Sequence, residues 1–234
     1  MIPWLRNDHS FPRIDTALDE PNGLLAAGGD LNPARLLAAY RLGIFPWSSP
    51  GQPLLWWSPD PRMVLYVDEF RLRRSLAKAV RRNRFEIRVD TAFTQVMIGC
   101  ATAPGRGLRS TWITSDMVGA YTELFRQGYA HSIEAWREGR LAGGLYGVTI
   151  GRMFFGESMF TIVPDASKIA FVHLVGILRA RGFPLVDCQQ QTAHLATLGA
   201  RPIARTAFAK EIASLVSAAA PNEPWRPVTA ASVL

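Results

Sequence analysis

Apolar positions change their spacing several times along this chain, and each change marks an element. The stretch LNPARLLAAYRLG predicts a helix over residues 31–43, with Asn32 as cap, Pro33 in the first turn and Gly43 closing the end. A second helix is expected from Phe70 to Arg82, where Leu72, Leu76, Ala79 and Val80 recur on one face. FEIRVD alternates as a strand, and TAFTQVMIGCA follows at helical spacing, with Phe93, Val96, Met97 and Cys100 on one side. SDMVGAYTELFRQG reads as a capped amphipathic helix stopped by Gly128. Three strand-like runs come next, AHSIEAW, LAGGLYGVTIG and RMFFGESMF. The tight turns REGR and IGR between them predict an antiparallel meander.

SKIAFVHLVGILRARG predicts a helix ended by Gly182, and PLVDCQ a strand. A short helix over Thr192–Gly199, the segment RPIAR and a last helix in TAFAKEIASLVSAA follow, and from Pro221 periodicity is lost. The turn-rich text before residue 65 holds one well-marked helix and short extended pieces. The expected organisation is a small N-terminal domain over 1–65 and a larger domain over 66–234, of α+β class, with a mainly antiparallel mixed sheet. That order of elements is compatible with GNAT-type acyltransferase folds without establishing one.

The 234 residues are 48% hydrophobic and 19% charged, which excludes a disordered chain. No apolar run reaches membrane-spanning length, and MIPWLRNDHSFPR breaks the apolar stretch a signal peptide needs, so a cytoplasmic protein is expected. Cys100 and Cys188, the only cysteines, read as structural thiols in a reducing compartment. The histidines never fall at metal-ligand spacing, so no metal site is expected. The net charge is +7 and is carried mostly by Arg, whose planar fork matches phosphate oxygens. Within the second helix Arg71, Arg74, Lys78, Arg81 and Arg82 form an uncompensated stripe. It is either a solvated face or a track for a phosphate backbone, and the two are compatible.

Three segments resist explanation as packing. FPW and WWSPDPR set tryptophans among prolines, which makes a rigid core corner or a stacking platform for an unpaired base. FFGESMF centres Glu157 in an apolar strand, where an unpartnered carboxylate is costly and a functional one is favoured. In LVDCQ, Asp187 and Gln189 end an apolar strand two residues apart, so they are expected on one face. TAPGRGLRS reads as a basic loop, and no nucleophile elbow, phosphate loop or dinucleotide fingerprint is present.

With those residues in view, the chain resembles the leucyl/phenylalanyl-tRNA–protein transferase family from about Pro21 to Phe208. PNGLLAAGGDLNPARLLAAYRLGIFPW, WWSPDPR, TWIT, HSIEAW, GGLYGV, FFGESMF, ASK and DCQ, then HL and TLGA, stand in the family's order; Arg109-Ser110 departs where a Gly is usual. The resemblance implies a GNAT-like larger domain and transfer of Leu or Phe, Met less readily, from aminoacyl-tRNA to proteins that begin with Arg or Lys. The product is thereby marked for degradation, without metal or organic cofactor. It implies that Asp187 orients and polarises Gln189, that Glu157 holds an ammonium group, and that Trp47 and Trp112 fix the terminal adenosine. Leu145, Phe154, Met159 and Val186 are implied as the aminoacyl pocket. Met159 shares strand parity with Glu157 and Phe154 does not, so Gly156 is expected at a bulge. An acyl-CoA-dependent N-acyltransferase and a non-catalytic RNA-binding module are the competing readings. The first lacks a Gly-rich loop before ASK, and the second leaves Glu157, Asp187 and Gln189 unexplained.

Overall fold

The computed structural model describes residues 2–6, 8–82, 84–102 and 112–233, so most of the expected basic loop and the Arg109-Ser110 departure lie outside the described residues. The chain opens with β1 (Trp4–Leu5), β2 (Leu24–Gly28), α1 (Pro33–Arg41), β3 (Phe45–Pro46) and β4 (Leu55–Trp57). These strands form a four-stranded sheet in the order β1-β2-β4-β3. Helix α1 starts as the sequence dictates: Asn32 Oδ1 accepts from the Ala34 amide at 2.8 Å, and Pro33 occupies the first turn. Gly43 closes the end at φ +73°, and a Cβ there would lie 2.8 Å from the Phe208 ring, so glycine also permits close packing.

Then come β5 (Arg62–Tyr66), α2 (Arg74–Arg81), β6 (Glu86–Val89), α3 (Phe93–Thr102), α4 (Ser115–Arg126), β7 (Ala130–Arg137), β8 (Arg140–Ile150) and β9 (Met153–Thr161). The chain finishes with α5 (Ala166–Ala180), β10 (Leu185–Gln189), α6 (Ala193–Thr197), β11 (Arg201–Ile203) and α7 (Arg205–Ser217). A seven-stranded sheet runs β11-β5-β10-β9-β8-β7-β6. The meander β7-β8-β9 is antiparallel, as its alternation and turns predict. Within this sheet the exception to antiparallel pairing is β9 against β10, joined through α5 as a strand–helix–strand crossover. The α+β class and the mainly antiparallel mixed sheet are therefore those expected. Among the described residues, no helix is long and apolar enough to cross a membrane.

Two readings need correction. The expected division at 65/66 passes through β5, whose whole length pairs with β10 and β11 of the larger sheet. Met63, Val64 and Leu65 are fully buried there, so this strand belongs to the larger core. The helix expected from Phe70 begins only at Arg74, because Phe70–Arg73 is extended and the Arg71 amide donates to the Leu198 carbonyl at 2.9 Å. Arg71 thus precedes the helix whose stripe it was expected to join.

Apolar side chains collect on both faces of the larger sheet. One face carries α3, α4 and α7 and merges with the interior of the small sheet through Tyr40, Phe45 and Trp56. The other carries α2 and α5, whose middle turns are buried throughout. α1 crosses from the small sheet onto the larger domain and sets Tyr40 against Phe155 of β9, with ring centroids 5.0 Å apart.

Candidate active site

The strand β9 carries the irregularity on which the site depends. Opposite β8, Tyr146 pairs with Ser158 while the next residue, Gly147, pairs with Gly156, so Glu157 is the extra residue of a β-bulge. The bulge lies one residue past the glycine at which it was expected, and it reverses parity along the strand. Phe154 and Met159 both face the α5 side. Glu157 is directed to Tyr40 and Tyr121, whose rings belong to the opposite core. Met159 therefore shares a face with Phe154 rather than with Glu157, contrary to simple alternation.

Glu157 is half-buried and has three polar partners. Tyr40 Oη donates to Oε1 at 2.7 Å, Gln189 Nε2 donates to the same oxygen at 2.8 Å, and Tyr121 Oη reaches Oε2 at 3.3 Å. The two tyrosine hydroxyls also hydrogen-bond each other. Burial lifts the Glu157 carboxyl to about 7, aided by the Asp187 charge and opposed by the tyrosine and glutamine donors. Burial, with the Glu157 charge beside them, holds both tyrosines well above their ordinary range, so they remain protonated donors.

Asp187 is fully buried and lies outside the cavity lining. Its carboxylate pairs bidentately with Arg62 of β5, Nε to Oδ1 at 2.8 Å and Nη2 to Oδ2 at 2.6 Å. The Arg62 guanidinium is sandwiched between the Phe45 and Phe208 rings, 4.7 and 4.8 Å from their centroids. Asp187 Oδ1 also accepts from the Gln189 backbone amide at 2.8 Å. Gln189 has φ +60°, and the ladder to β5 shifts register between Asp187 and Gln189, yet the partners of both side chains belong to the core face that holds Tyr40, Phe45 and Phe208. That left-handed residue swings the Gln189 amide to Glu157 while the Asp187 side chain stays with Arg62. Asp187 therefore contacts Gln189 at its main-chain amide, and the Gln189 side-chain amide is taken by Glu157.

Beside these groups opens a cavity of about 450 Å³, within the range of small-ligand sites. Leu145, Phe154, Met159 and Val186 all line it, as do Glu157, Gln189, Trp47 and Trp112, whereas Asp187 does not. One enclosure thus gathers residues expected from five separate stretches of sequence. Trp47 is 38% exposed at the rim and packs on Trp57 with centroids 5.5 Å apart. Trp56 is instead a core residue, its Nε1 donating to the Gly28 carbonyl at 2.9 Å, so the Trp–Pro text serves both readings.

Arg74, Lys78, Arg81 and Arg82 are exposed, and among the described residues none forms an ion pair. They lie outside the cavity lining. Phe70, just before α2, packs on Phe171 of the cavity wall with centroids 6.1 Å apart, so the segment leading into α2 adjoins that wall. His173 is a core residue on α5, and among the described residues no cluster could hold a metal.

Sequence reasoning passed over Tyr40, Tyr121 and Arg62. The tyrosines occupy the buried faces of amphipathic helices, where a tyrosine is ordinary. Arg62 did leave a signal: a lone cation opening the apolar strand RMVLY needs an anion, and the lone anion in LVDCQ answers it.

Cys188 lines the cavity wall, but burial pushes its thiol well up and leaves it a poor nucleophile. What the opening offers is a cavity for an apolar group and a carboxyl able to take or hold a proton near neutrality. Such equipment serves transfer of an acyl group that arrives already activated, and it sets the molecule in the acyltransferase class. The comparisons give the family. A profile described as leucyl/phenylalanyl-tRNA protein transferase matches residues 64–213, and one for that family's N-terminal domain matches 29–60. The leucyl/phenylalanyl-tRNA–protein transferase of Nitrosospira multiformis is 56% identical over 96% of this chain and 97% of its own. That of Thiobacillus denitrificans is 58% identical over 94% of this chain and 96% of its own. The chain belongs to the leucyl/phenylalanyl-tRNA–protein transferase family.

Proposed function

We propose that this protein transfers Leu or Phe, and Met less readily, from aminoacyl-tRNA to the N-terminus of acceptor proteins that begin with Arg or Lys. It would do so in the cytoplasm and mark its acceptors for degradation. The observation that carries this reading is the single cavity in which the side-chain pocket, the two rim tryptophans and the Glu157–Gln189 pair meet. The aminoacyl side chain enters between Leu145, Phe154, Met159 and Val186. Flexible Met159 accommodates side chains of unlike shape. Trp47 and Trp112 flank the opening, placed to stack on the terminal adenosine. Arg74, Lys78, Arg81 and Arg82, with Arg71 before them, offer cations to the tRNA backbone.

The ester of aminoacyl-tRNA is already activated, so the protein's task is to hold an amine against its carbonyl. An α-amine titrates near pH ~8 and supplies a neutral fraction at physiological pH. Gln189 spends its Nε2 on Glu157, which leaves its amide oxygen to accept from the attacking amine. Glu157, ionising near 7, attracts the ammonium form and can take up a proton as the C–N bond forms. The proton and the ester's electron pair depart with the ribose oxygen, which leaves as a hydroxyl. Asp187 and Arg62 fix the backbone that aims Gln189.

Acyl-CoA is disfavoured as donor by Asp165, whose carboxylate stands at the start of α5, where a pyrophosphate would need bare amides. Transfer of labelled leucine from leucyl-tRNA to an Arg-starting peptide tests the reading, with acetyl-CoA as the competing donor. Labelling from leucyl-tRNA is expected. Labelling from the thioester alone refutes the proposal.

A further inference from the structure

Beyond α7, and beyond residue 213 where the family match ends, the chain turns back over the α5 side of the larger sheet. This segment is bound at several points although it forms no strand. The Arg181 guanidinium donates to the carbonyls of Pro221 (3.2 Å), Glu223 and Pro224 (3.1 Å) and lies 5.0 Å from the Trp225 ring centroid. His173 Nδ1 bonds the Val228 carbonyl at 3.1 Å. Between these two fastenings Trp225 inserts its indole. It stacks on His131 at 4.1 Å and 19°, and His131 is itself fixed by Asp90 at 2.7 Å. Phe183 packs on the indole at 5.9 Å, and Phe154 at 6.2 Å with the rings tilted by 43°.

Phe154 ties this cluster to the cavity. Its ring lines the cavity and is 1% exposed. On the sheet side it lies across Gly147, where a Cβ would come within 2.5 Å of Cζ, so the ring has no room to move that way. Trp225 packs against it from the segment beyond α7. The ring's place is therefore set by Gly147 and by Trp225, a residue that does not line the cavity.

We propose that Trp225 is a positioning residue for donor selectivity: by buttressing Phe154 it fixes how much of the cavity is open to the aminoacyl side chain. The inference rests on reading the cavity as the aminoacyl pocket. Without the indole, the Phe154 ring gains space to retreat and the cavity deepens, which favours the longer Phe side chain over Leu. A change of about one methylene in an apolar pocket corresponds to about tenfold in relative kcat/KM.

The test measures kcat/KM for phenylalanyl- and leucyl-tRNA in the full chain with Trp225→Ala, Trp225→Leu, Phe154→Leu and the double variant Phe154→Leu/Trp225→Ala. Leu25→Ala, buried in the small sheet, serves as a control for lost stability. The Phe-to-Leu ratio is expected to rise about tenfold in Trp225→Ala and less in Trp225→Leu. The effects of positions 154 and 225 are expected to be non-additive. Trp225→Leu carries the measurement if the alanine variant does not fold. The proposal is overturned if the ratio stays put in the Trp225 variants while Phe154→Leu moves it, if the two positions add independently, or if Leu25→Ala shifts the ratio equally. If Phe154→Leu also leaves the ratio unchanged, the pocket assignment falls with it, and that outcome separates the two failures.

Discussion

Replacing Glu157 with glutamine should make the protein more stable at alkaline pH and less active. In the unfolded chain this carboxyl ionises near 4.5, and in the folded protein near 7. Between those values the folded state binds a proton that the unfolded state has released, so stability is fully present below about 4.5 and is lost as pH rises through about 7. Every pH unit separating the two values is worth about 1.36 kcal/mol, so the whole loss approaches about 3 kcal/mol, trimmed by the solvent contact Glu157 retains. Glutamine cannot ionise and escapes that loss. Its carbonyl can still accept from Tyr40 and Gln189, and its amide can donate to the Tyr121 hydroxyl. Urea unfolding of both proteins at pH 5, 6, 7 and 8 should show the variant gaining on the native protein by about 2–3 kcal/mol over the series. Transfer activity should fall, and the rise in rate with a midpoint near pH ~7 should vanish from the variant's profile. Parallel stability curves for the two proteins would show that Glu157 is not held protonated by its surroundings, and would refute burial as the source of its raised pKa.

Arg62→Met leaves the Asp187 carboxylate buried without its partner and should cost about 3–5 kcal/mol, most of it recovered in Arg62→Met/Asp187→Leu, as read from denaturant midpoints. The double variant should lose transfer, because the Asp187 oxygen that anchors the Gln189 main chain goes with it. Gly147→Ala places a methyl 2.4 Å from the Phe155 carbonyl and 2.5 Å from the Phe154 ring, so a lower melting temperature and a loss of about 1–3 kcal/mol are expected. Reversing Arg74, Lys78 and Arg81 to Glu should weaken tRNA binding at least about tenfold and flatten its dependence on salt, measured by titration across ionic strengths. An unaltered salt slope removes α2 from the interface.

The meander was legible because alternation, two tight turns and glycines at close approaches all agree, and tertiary contacts had nothing to override. The start of α2 was not, since no capping side chain precedes Arg74 and an apolar face extrapolates smoothly back to Phe70. Parity located the bulge in β9, because two pocket residues of opposite phase cannot face one cavity on a regular strand. The left-handed backbone at Gln189 was not legible, because its sequence carries no glycine to announce it. Tyr40 and Tyr121 stayed hidden because pattern shows which face of a helix is inward but not what waits opposite. The segment holding Trp225 has no period at all, and its place comes from Arg181 and His173 reaching main-chain carbonyls.

The extra residue in β9 ties the phase of one end of the strand to the other. Upstream of Glu157 the side chains keep one beat, downstream the opposite one, and proton chemistry and substrate fit are read from adjoining stretches of the same ribbon. A codon lost or gained between Gly156 and Met159 would put one function out of step, turning either the acid or the pocket wall to the wrong side. Length changes at the Glu138–Gly139 hairpin, by contrast, would leave that timing alone. Along this strand the spacing of residues is under tighter constraint than their identity.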